Sequence, residues 1–307
     1  MLPMIFSTLF LANACRNTIC HGLAGQLSNL SQIQQTQPTL KKNLISSRAS
    51  VKNGSKYQDD ALILAKEQRT LNRQLTIHFD AKGYKLTGTL HLPNRHKPMV
   101  VIGCHGLFAN RNSPKQVSLA QACNTQGIAY LRFDHRGCGD SQGEFNKVTS
   151  LPARCHDLKQ AVTAMQHNPL VGDLIALFGS SFGGTVVLAY AAHHRIPAII
   201  TYAAPSDSTA IRHANIKDDQ GHRPHPSLLS DELAFDIVAD LKSVSNILIA
   251  HSQNDETVPV DHAHKIYANV SSPKALKIFE GGDHRMSNPL HQQLFITLFL
   301  RWLKKRL

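Results

Sequence analysis

The sequence has no cysteine pattern of the kind that binds zinc or forms a disulfide framework. Its six cysteines include no C-x-x-C pair, whereas metal sites and small disulfide-rich domains depend on closely spaced cysteines. Asp261, His262 and His264 are potential metal ligands, but no second ligand cluster accompanies them, and we interpret them as the start of a helix. We therefore expect no metal site, and the cysteine usage favours a reducing compartment. The cysteines are Cys15, Cys20, Cys104, Cys123, Cys138 and Cys155.

The sequence also lacks a concentrated basic patch. Its formal net charge is +12, which by itself favours nucleic acid or an anionic membrane surface as a partner. Six of the basic residues, however, lie within residues 1–58, which contain no acidic residue, and no long run of like charge occurs anywhere. Aromatic residues make up 6% of the chain and are not interleaved with the basic ones. We therefore expect no nucleic-acid partner.

No hydrophobic run is long enough to span a membrane as a helix. Residues 1–14 are apolar and end in Ala-Asn-Ala, which is similar to a secretory cleavage site, but the Lys or Arg expected near the start of a signal peptide is missing. Residues 15–58 are rich in Ser, Gln, Asn and Lys and show no periodicity. We interpret residues 1–72 as a disordered or targeting leader, although a start codon assigned too early would look the same. We expect a cytoplasmic protein. The alternatives are that the leader directs export or import into an organelle, or that it associates with a membrane.

After the leader, short apolar runs alternate with segments of helix length. Two runs of alternating polarity, 74–80 and 84–92, surround Ala-Lys-Gly and predict a β-hairpin at the edge of a sheet. Continuous apolar runs suit strands that are covered on both faces, so the sequence predicts an α/β fold with a mostly parallel eight-stranded sheet flanked by helices. These runs are 99–104, 129–134, 174–179, 198–204, 247–252 and 275–281, and the intervening helices are expected near 115–127, 154–167, 182–194, 262–270 and 289–305.

One polar segment interrupts this alternation. Residues 206–240 lie between two predicted core strands and are the place where α/β sheets commonly carry a lid or a specificity loop. The segment is too short for a large independent cap. We therefore assign residues 73–307 to one α/β domain with a lid-like insertion over 206–240.

A serine lies where one predicted strand gives way to a helix. The residues "GSSFG" match G-x-S-x-G, with Gly179 and Gly183 on either side of Ser181. A serine in such a strained strand-to-helix turn exposes its hydroxyl, and the glycines are needed because a Cβ would collide with the neighbouring backbone. Ser181 is therefore the candidate nucleophile, and Ser180, at the variable position, is interpreted as a turn or packing residue.

A serine nucleophile requires a base and a group that orients the base. Asp255 and His284 each follow a predicted strand, in the chain order serine, acid, histidine that this motif predicts. Glu256 and Asp283 are rival acids. We favour Asp255 for its position after the strand, and Asp283 is poorly placed to hold the ring of its direct neighbour.

The third predicted component is an oxyanion hole. The strand 99–104 continues into His105-Gly106-Leu107, where a glycine lets the backbone turn an N–H toward the site. The expected donors are the backbone N–H groups of Leu107 and Phe182. His105 is interpreted as a structural residue under this loop, with a substrate-side proton donor as the alternative.

With these motifs, residues 73 to 305 resemble an α/β-hydrolase. The segments "FDHRGCGDSQG", "NDETVP" and "GGDH" accompany the serine motif in a way that is similar to the serine aminopeptidase, dienelactone hydrolase-like and bacterial cinnamoyl or feruloyl esterase groups. The resemblance implies that Asp134–Arg136 is a structural turn beside the active-site entrance. Two departures matter: dienelactone hydrolases use a cysteine nucleophile, and the insertion 206–240 is smaller than the cinnamoyl esterase cap, so an aromatic acid is not supported as substrate.

These features predict a serine hydrolase that cleaves small-molecule carboxylic esters of short or medium acyl groups through an acyl-enzyme, with no metal or organic cofactor. Amide, peptide and thioester cleavage would use the same groups and stay as alternatives. A non-catalytic protein of the same fold is the other hypothesis, since fold alone does not fix function. The sequence does not indicate an oligomeric state.

Overall fold

The predicted sheet forms the centre of the molecule. The computed structural model describes residues 72–209 and 233–306, and its eight-stranded sheet has the order β1-β2-β4-β3-β5-β6-β7-β8. The strands are β1 Asn72–Ala81, β2 Tyr84–Pro93, β3 Val100–Cys104, β4 Ala129–Phe133, β5 Ile175–Ser180, β6 Ile199–Tyr202, β7 Ile247–Ser252 and β8 Lys274–Phe279. The predicted fold class is thereby confirmed.

The hairpin β1–β2 lies at one edge of this sheet, as predicted. Its turn is the two-residue loop Lys82-Gly83, in which both residues have positive φ (56° and 82°). Such a turn matches the right-handed twist of the two strands that it joins. Strand β2 pairs antiparallel with β4, and the strands from β3 to β8 pair parallel with one another.

Helices cover both faces of the parallel part of the sheet. They are α1 Pro114–Thr125, α2 Phe145–Val148, α3 Leu151–Gln166, α4 Phe182–Ala191, α5 Asp261–Asn269 and α6 Pro289–Arg306, with a 3₁₀ helix at Val238–Ser243. One buried cluster packs α3, α4 and α5 against the sheet, and the other packs α1 and α6. Successive strand residues alternate between the clusters, as Leu177 and Phe178 do. This two-sided burial explains why the strands are continuous apolar runs.

Some boundaries differ from the sequence prediction. Helix α3 begins at Leu151 rather than near 154, because the Ser150 hydroxyl accepts a hydrogen bond from Ala153 N (3.2 Å) and Pro152 is tolerated in the first turn. The short helix α2 was not predicted. The predicted leader, apart from its last residue, and the middle of the lid-like insertion, 210–232, lie outside the described residues, so the domain assignment stays a prediction.

The carboxyl ends of the parallel strands meet at one edge of the sheet. Their register pairs Cys104 with Gly179, Ser180 with Tyr202, and Ser252 with Phe279. The loops that follow these strands therefore converge, and all of the predicted site residues lie on or beside them.

Candidate active site

Ser181 occupies a sharp turn between β5 and α4. Its φ of 54° and ψ of −130° lie outside the ordinary regions for a residue with a side chain. A Cβ on Gly179 would overlap the carbonyl oxygen of Gly183, and a Cβ on Gly183 would overlap the carbonyl oxygens of Cys104 and His105. The flanking glycines therefore let strand, turn and helix approach closely enough to hold the half-buried Ser181 in this conformation.

Ser181, His284 and Asp255 form one hydrogen-bonded chain through the histidine ring. The Nε2 atom of His284 lies 3.1 Å from Ser181 Oγ. Its Nδ1 lies 2.9 Å and 2.8 Å from the two carboxylate oxygens of Asp255. Because an ionised carboxylate only accepts, Nδ1 carries the proton and Nε2 presents its lone pair to the serine hydroxyl. The ring is therefore oriented to remove the hydroxyl proton.

The Asp255 side chain is buried and well supplied with donors. Its Oδ1 accepts hydrogen bonds from the N–H groups of Thr257 (2.9 Å) and Val258 (2.7 Å). His251 Nε2 lies 3.3 Å from the other oxygen and 2.8 Å from the Val258 carbonyl. Burial alone would raise the pKa of Asp255, but the hydrogen bonds from His251, His284 and the backbone hold it well below its usual range. Asp255 is therefore ionised wherever the protein is folded at moderate pH.

The rival residues make different contacts. Glu256 accepts a hydrogen bond from the backbone N–H of His284 (3.1 Å), and the Asp283 carboxylate accepts from Ser287 N (2.8 Å). Ser180 Oγ accepts from Lys115 Nζ (3.2 Å). Among the described residues, none of these three rivals bonds the ring of His284.

The glycine of the loop after β3 lies against the candidate nucleophile. A Cβ added to Gly106 would lie 3.5 Å from Ser181 Cβ, which is ordinary contact. Within the described parts of the chain, the N–H groups of Leu107 and Phe182 donate to no other protein group. Two free backbone donors beside a serine are what an oxyanion hole requires.

His105 is buried beneath this loop and faces no solvent. Its Nε2 accepts a hydrogen bond from the backbone N–H of His135 (3.1 Å), so its Nδ1 carries the proton and donates to the Gly106 carbonyl (2.8 Å). Burial, with the neighbouring His135 and Arg154, lowers the pKa of His105 well below its usual value. With 1% of its surface exposed, His105 fits the structural interpretation and not that of a substrate-side proton donor.

The turn at Asp134–Arg136 is also held by buried polar contacts. Arg136 Nη2 lies 2.6 Å from Asp157 Oδ1, and its backbone N–H donates to the other carboxylate oxygen (3.0 Å). Asp134 is fully buried and pairs with Arg111. These contacts tie the loop after β4 to α3 beside the loop that carries Leu107.

Sequence reasoning missed two residues at this edge. His251 ends the apolar run of β7, where its ring gives no local sign that it supports Asp255 four residues later. Arg154 lies in α3 and bonds the backbone of residues 106 and 107. A buried basic residue would have been a signal for Arg154. The sequence of the weakly amphipathic helix α3, however, does not reveal which of its positions are buried.

Nothing in the described chain indicates a metal centre or a membrane span. Residues 72–209 and 233–306 contain no group of three or more His, Cys, Asp or Glu side chains that could hold a metal ion. The same residues contain no helix that is long and apolar enough to cross a bilayer.

Known proteins with similar sequences support the assignment of the fold. A family model described as serine aminopeptidase, S33, matches residues 95–212. Protein YfhR of Escherichia coli O157:H7 is 30% identical over 221 residues, which cover 68% of this chain and 72% of YfhR. The mitochondrial palmitoyl-protein thioesterase ABHD10 of Mus musculus is 26% identical over 220 residues, covering 64% of this chain and 72% of that protein. The chain spans between 43% and 72% of the length of eight curated relatives that it matches.

Solved structures show the same architecture. Est1E from Butyrivibrio proteoclasticus, determined with bound ferulic acid, superposes with a TM-score of 0.67 at 22% identity, covering 75% of this chain and 98% of Est1E. Together with the strand order, the turn at Ser181 and the sequence similarity to YfhR, this likeness establishes that the chain belongs to the α/β-hydrolase superfamily.

Proposed function

We propose that the protein is a serine hydrolase that cleaves carboxylic esters, with Ser181 as nucleophile, His284 as general base and acid, and Asp255 as the group that orients the histidine. The observation that carries the proposal is the placement of His284, whose two ring nitrogens lie within hydrogen-bond distance of Ser181 and Asp255 respectively. A ring in this arrangement can accept a proton on one side while a carboxylate stabilises the resulting positive charge on the other.

The first half of the reaction forms an acyl-enzyme. Ser181 Oγ attacks the ester carbonyl carbon and its proton moves to His284 Nε2, while the carbonyl oxygen becomes an oxyanion. The backbone N–H groups of Leu107 and Phe182 would stabilise that charge. The intermediate then collapses: the bond to the alcohol oxygen breaks, and the imidazolium returns its proton to the departing alcohol.

The second half regenerates the enzyme. Water gives a proton to His284 and its oxygen attacks the acyl carbon, which forms a second oxyanion in the same place. Collapse breaks the bond to Ser181, and His284 returns the proton to the serine oxygen. The free carboxylic acid leaves. Besides the ester and water, the scheme requires only the protein's own side chains and backbone N–H groups.

Thioester cleavage is the second candidate, and one observation favours it. The relative ABHD10 is a palmitoyl-protein thioesterase by name, and a thioester carbonyl would be attacked by the same hydroxyl. Only the leaving group differs: it is a thiolate, which departs with less need for protonation than an alkoxide.

The test compares matched substrates on one purified enzyme. Rates are measured for p-nitrophenyl acetate and butyrate and for acyl thioesters with the same acyl chains, each with Ser181→Ala as the blank. The proposal predicts turnover of the esters that Ser181→Ala lacks. A kcat/KM that is higher for the thioesters at every chain length would replace ester by thioester cleavage, and folded wild-type protein that turns over neither would overturn the proposal.

A further inference from the structure

The peptide between Gly106 and Leu107 is held from its carbonyl side. The Gly106 carbonyl oxygen accepts hydrogen bonds from His105 Nδ1 (2.8 Å) and from Arg154 Nη1 (3.2 Å). In a trans peptide the C=O and N–H groups point in opposite directions. Two donors on this oxygen therefore fix the direction of the Leu107 N–H, which is one of the two donors proposed for the oxyanion.

Arg154 also contacts the next carbonyl and the other side of the site. Its Nη2 donates to the Leu107 carbonyl (2.8 Å) and lies 3.4 Å from Cys138 Sγ. Its guanidinium carbon lies 5.3 Å from the ring centre of Phe182, whose backbone N–H is the second proposed donor. One side chain thus touches both residues that carry the oxyanion donors.

The burial of Arg154 is not explained by an ion pair. The side chain is fully buried, and within residues 72–209 and 233–306 it makes no salt bridge. The nearby carboxylate of Asp157 is bonded instead by Arg136 and His135. A buried charge without a carboxylate partner destabilises a fold relative to an apolar residue of similar volume. The guanidinium of Arg154 instead donates to the two backbone carbonyls of the loop that carries the Leu107 N–H.

We propose that Arg154 is a positioning residue for the oxyanion hole: it fixes the Gly106–Leu107 peptide, supports Phe182, and places a positive charge in the protein interior behind the site. The role rests on the proposed serine hydrolase function. A positive charge in a region of low dielectric acts over a longer distance than it would in water, so it favours the transition state, where negative charge develops, more than the neutral ester.

The test uses Arg154→Met, which keeps an unbranched, flexible side chain in the buried position and removes the guanidinium with its charge and donors. We expect kcat per titrated active site to fall roughly 10- to 100-fold with KM little changed, because the lost interaction acts in the transition state. The inhibition constant for phenylboronic acid, which forms a tetrahedral adduct on the serine, should rise by a similar factor. A merely structural role would lower the melting temperature without moving the boronate affinity.

Arg154→Lys and Arg132→Met serve as the companion variants. Lysine supplies a cation but is shorter and lacks the planar fork whose two Nη groups donate to the carbonyls of residues 106 and 107, so its kcat should lie between those of wild type and Arg154→Met. Arg132 is also buried and donates to a carbonyl of the same loop, that of Arg111 (2.9 Å), but among the described residues it makes no hydrogen bond to residue 106 or 107. Arg132→Met removes a buried guanidinium and its hydrogen bonds without touching the Gly106–Leu107 peptide, and it should retain kcat.

The outcomes separate the two proposals. Wild-type turnover together with unchanged kcat and boronate affinity in Arg154→Met would overturn the role of Arg154 alone. Wild-type protein without turnover would overturn the hydrolase function and this role with it.

Discussion

Two groups of serine, histidine and aspartate lie at the same edge of the sheet, and only one is arranged for nucleophilic catalysis. In the first, His284 bridges Ser181 and Asp255 with opposite ring nitrogens. The second consists of Ser206, Asp207 and His262, which begin the predicted lid-like insertion and α5. The residue types are the same, so the difference must come from how they are connected.

In the second group, the serine and the aspartate both lie near the same ring nitrogen of the histidine. His262 Nδ1 accepts a hydrogen bond from the backbone N–H of Ser206 (3.1 Å) and lies 2.9 Å from Ser206 Oγ and 3.8 Å from Asp207. The Ser206 hydroxyl donates to the Asp207 carboxylate (3.1 Å), which also pairs with Lys265. Ser206 is fully buried. The His262 ring therefore cannot accept a serine proton on one nitrogen while a carboxylate stabilises the resulting charge at the other. We infer that this group holds the base of the insertion in place.

The largest expected contrast is between the two serines. Ser181→Ala removes the proposed nucleophile and should lower kcat for p-nitrophenyl butyrate by roughly 10⁴- to 10⁶-fold, as in a studied serine protease. Ser206→Ala should leave kcat close to wild type and lower the free energy of unfolding by about 1 kcal/mol for its lost hydrogen bond. Comparable losses of kcat in both variants would erase the distinction between the groups.

The two aspartates should differ almost as much. Asp255→Asn offers His284 an amide that can donate to Nδ1, which moves the ring proton to Nε2 and removes the base from Ser181. The corresponding change in a studied protease lowers kcat about 10⁴-fold. Asp207→Asn weakens the pair with Lys265 and should alter stability only. Steady-state kinetics and urea denaturation of both variants provide the check, and a fully active Asp255→Asn protein would point to Glu256 or Asp283 instead.

A smaller contrast is expected between the second partners of the two carboxylates. His251→Phe removes the ring nitrogen beside Asp255 and should lower kcat roughly tenfold, since hydrogen bonds to charged groups contribute about 1.5–3 kcal/mol. Lys265→Met removes the half-exposed partner of Asp207 and should leave kcat unchanged. Equal kcat values for His251→Phe and wild type would mean that Asp255 is held sufficiently by its backbone donors.

The smallest expected effect is on the stability of the protein in acid, which we compare between His262→Gln and wild type. Burial lowers the pKa of His262. Burial, together with the positive charges of Arg154 and Arg136, lowers the pKa of His135 to about 4 although Asp157 acts in the opposite direction. Below about pH 6.5 these histidines therefore bind protons in the unfolded chain but not in the folded protein. The free energy of unfolding then falls by about 1.4 kcal/mol for each proton and for each unit that the pH is lowered. The loss for His135 should be complete near pH 4. Urea denaturation between pH 7 and pH 4.5 should show a shallower decline for His262→Gln than for wild type, and identical slopes would assign the loss to other groups.

The sequence predicts those features that depend only on residues close together along the chain. The apolar runs predict the parallel strands because both faces are buried, and G-x-S-x-G predicts the turn at Ser181 because the glycines are needed next to it. The roles of Arg154 and His251 depend on contacts made after folding. The group at Ser206 and His262 joins residues 56 positions apart, and no sequence pattern distinguishes its connectivity from that of a catalytic group.

The most direct measurement is fluorophosphonate labelling of wild-type protein, followed by intact mass and peptide mapping. We expect a single adduct on Ser181, absent from Ser181→Ala and retained in Ser206→Ala. An adduct on Ser206 or Ser180, or no adduct on folded wild-type protein, would contradict the claim that His284 activates Ser181.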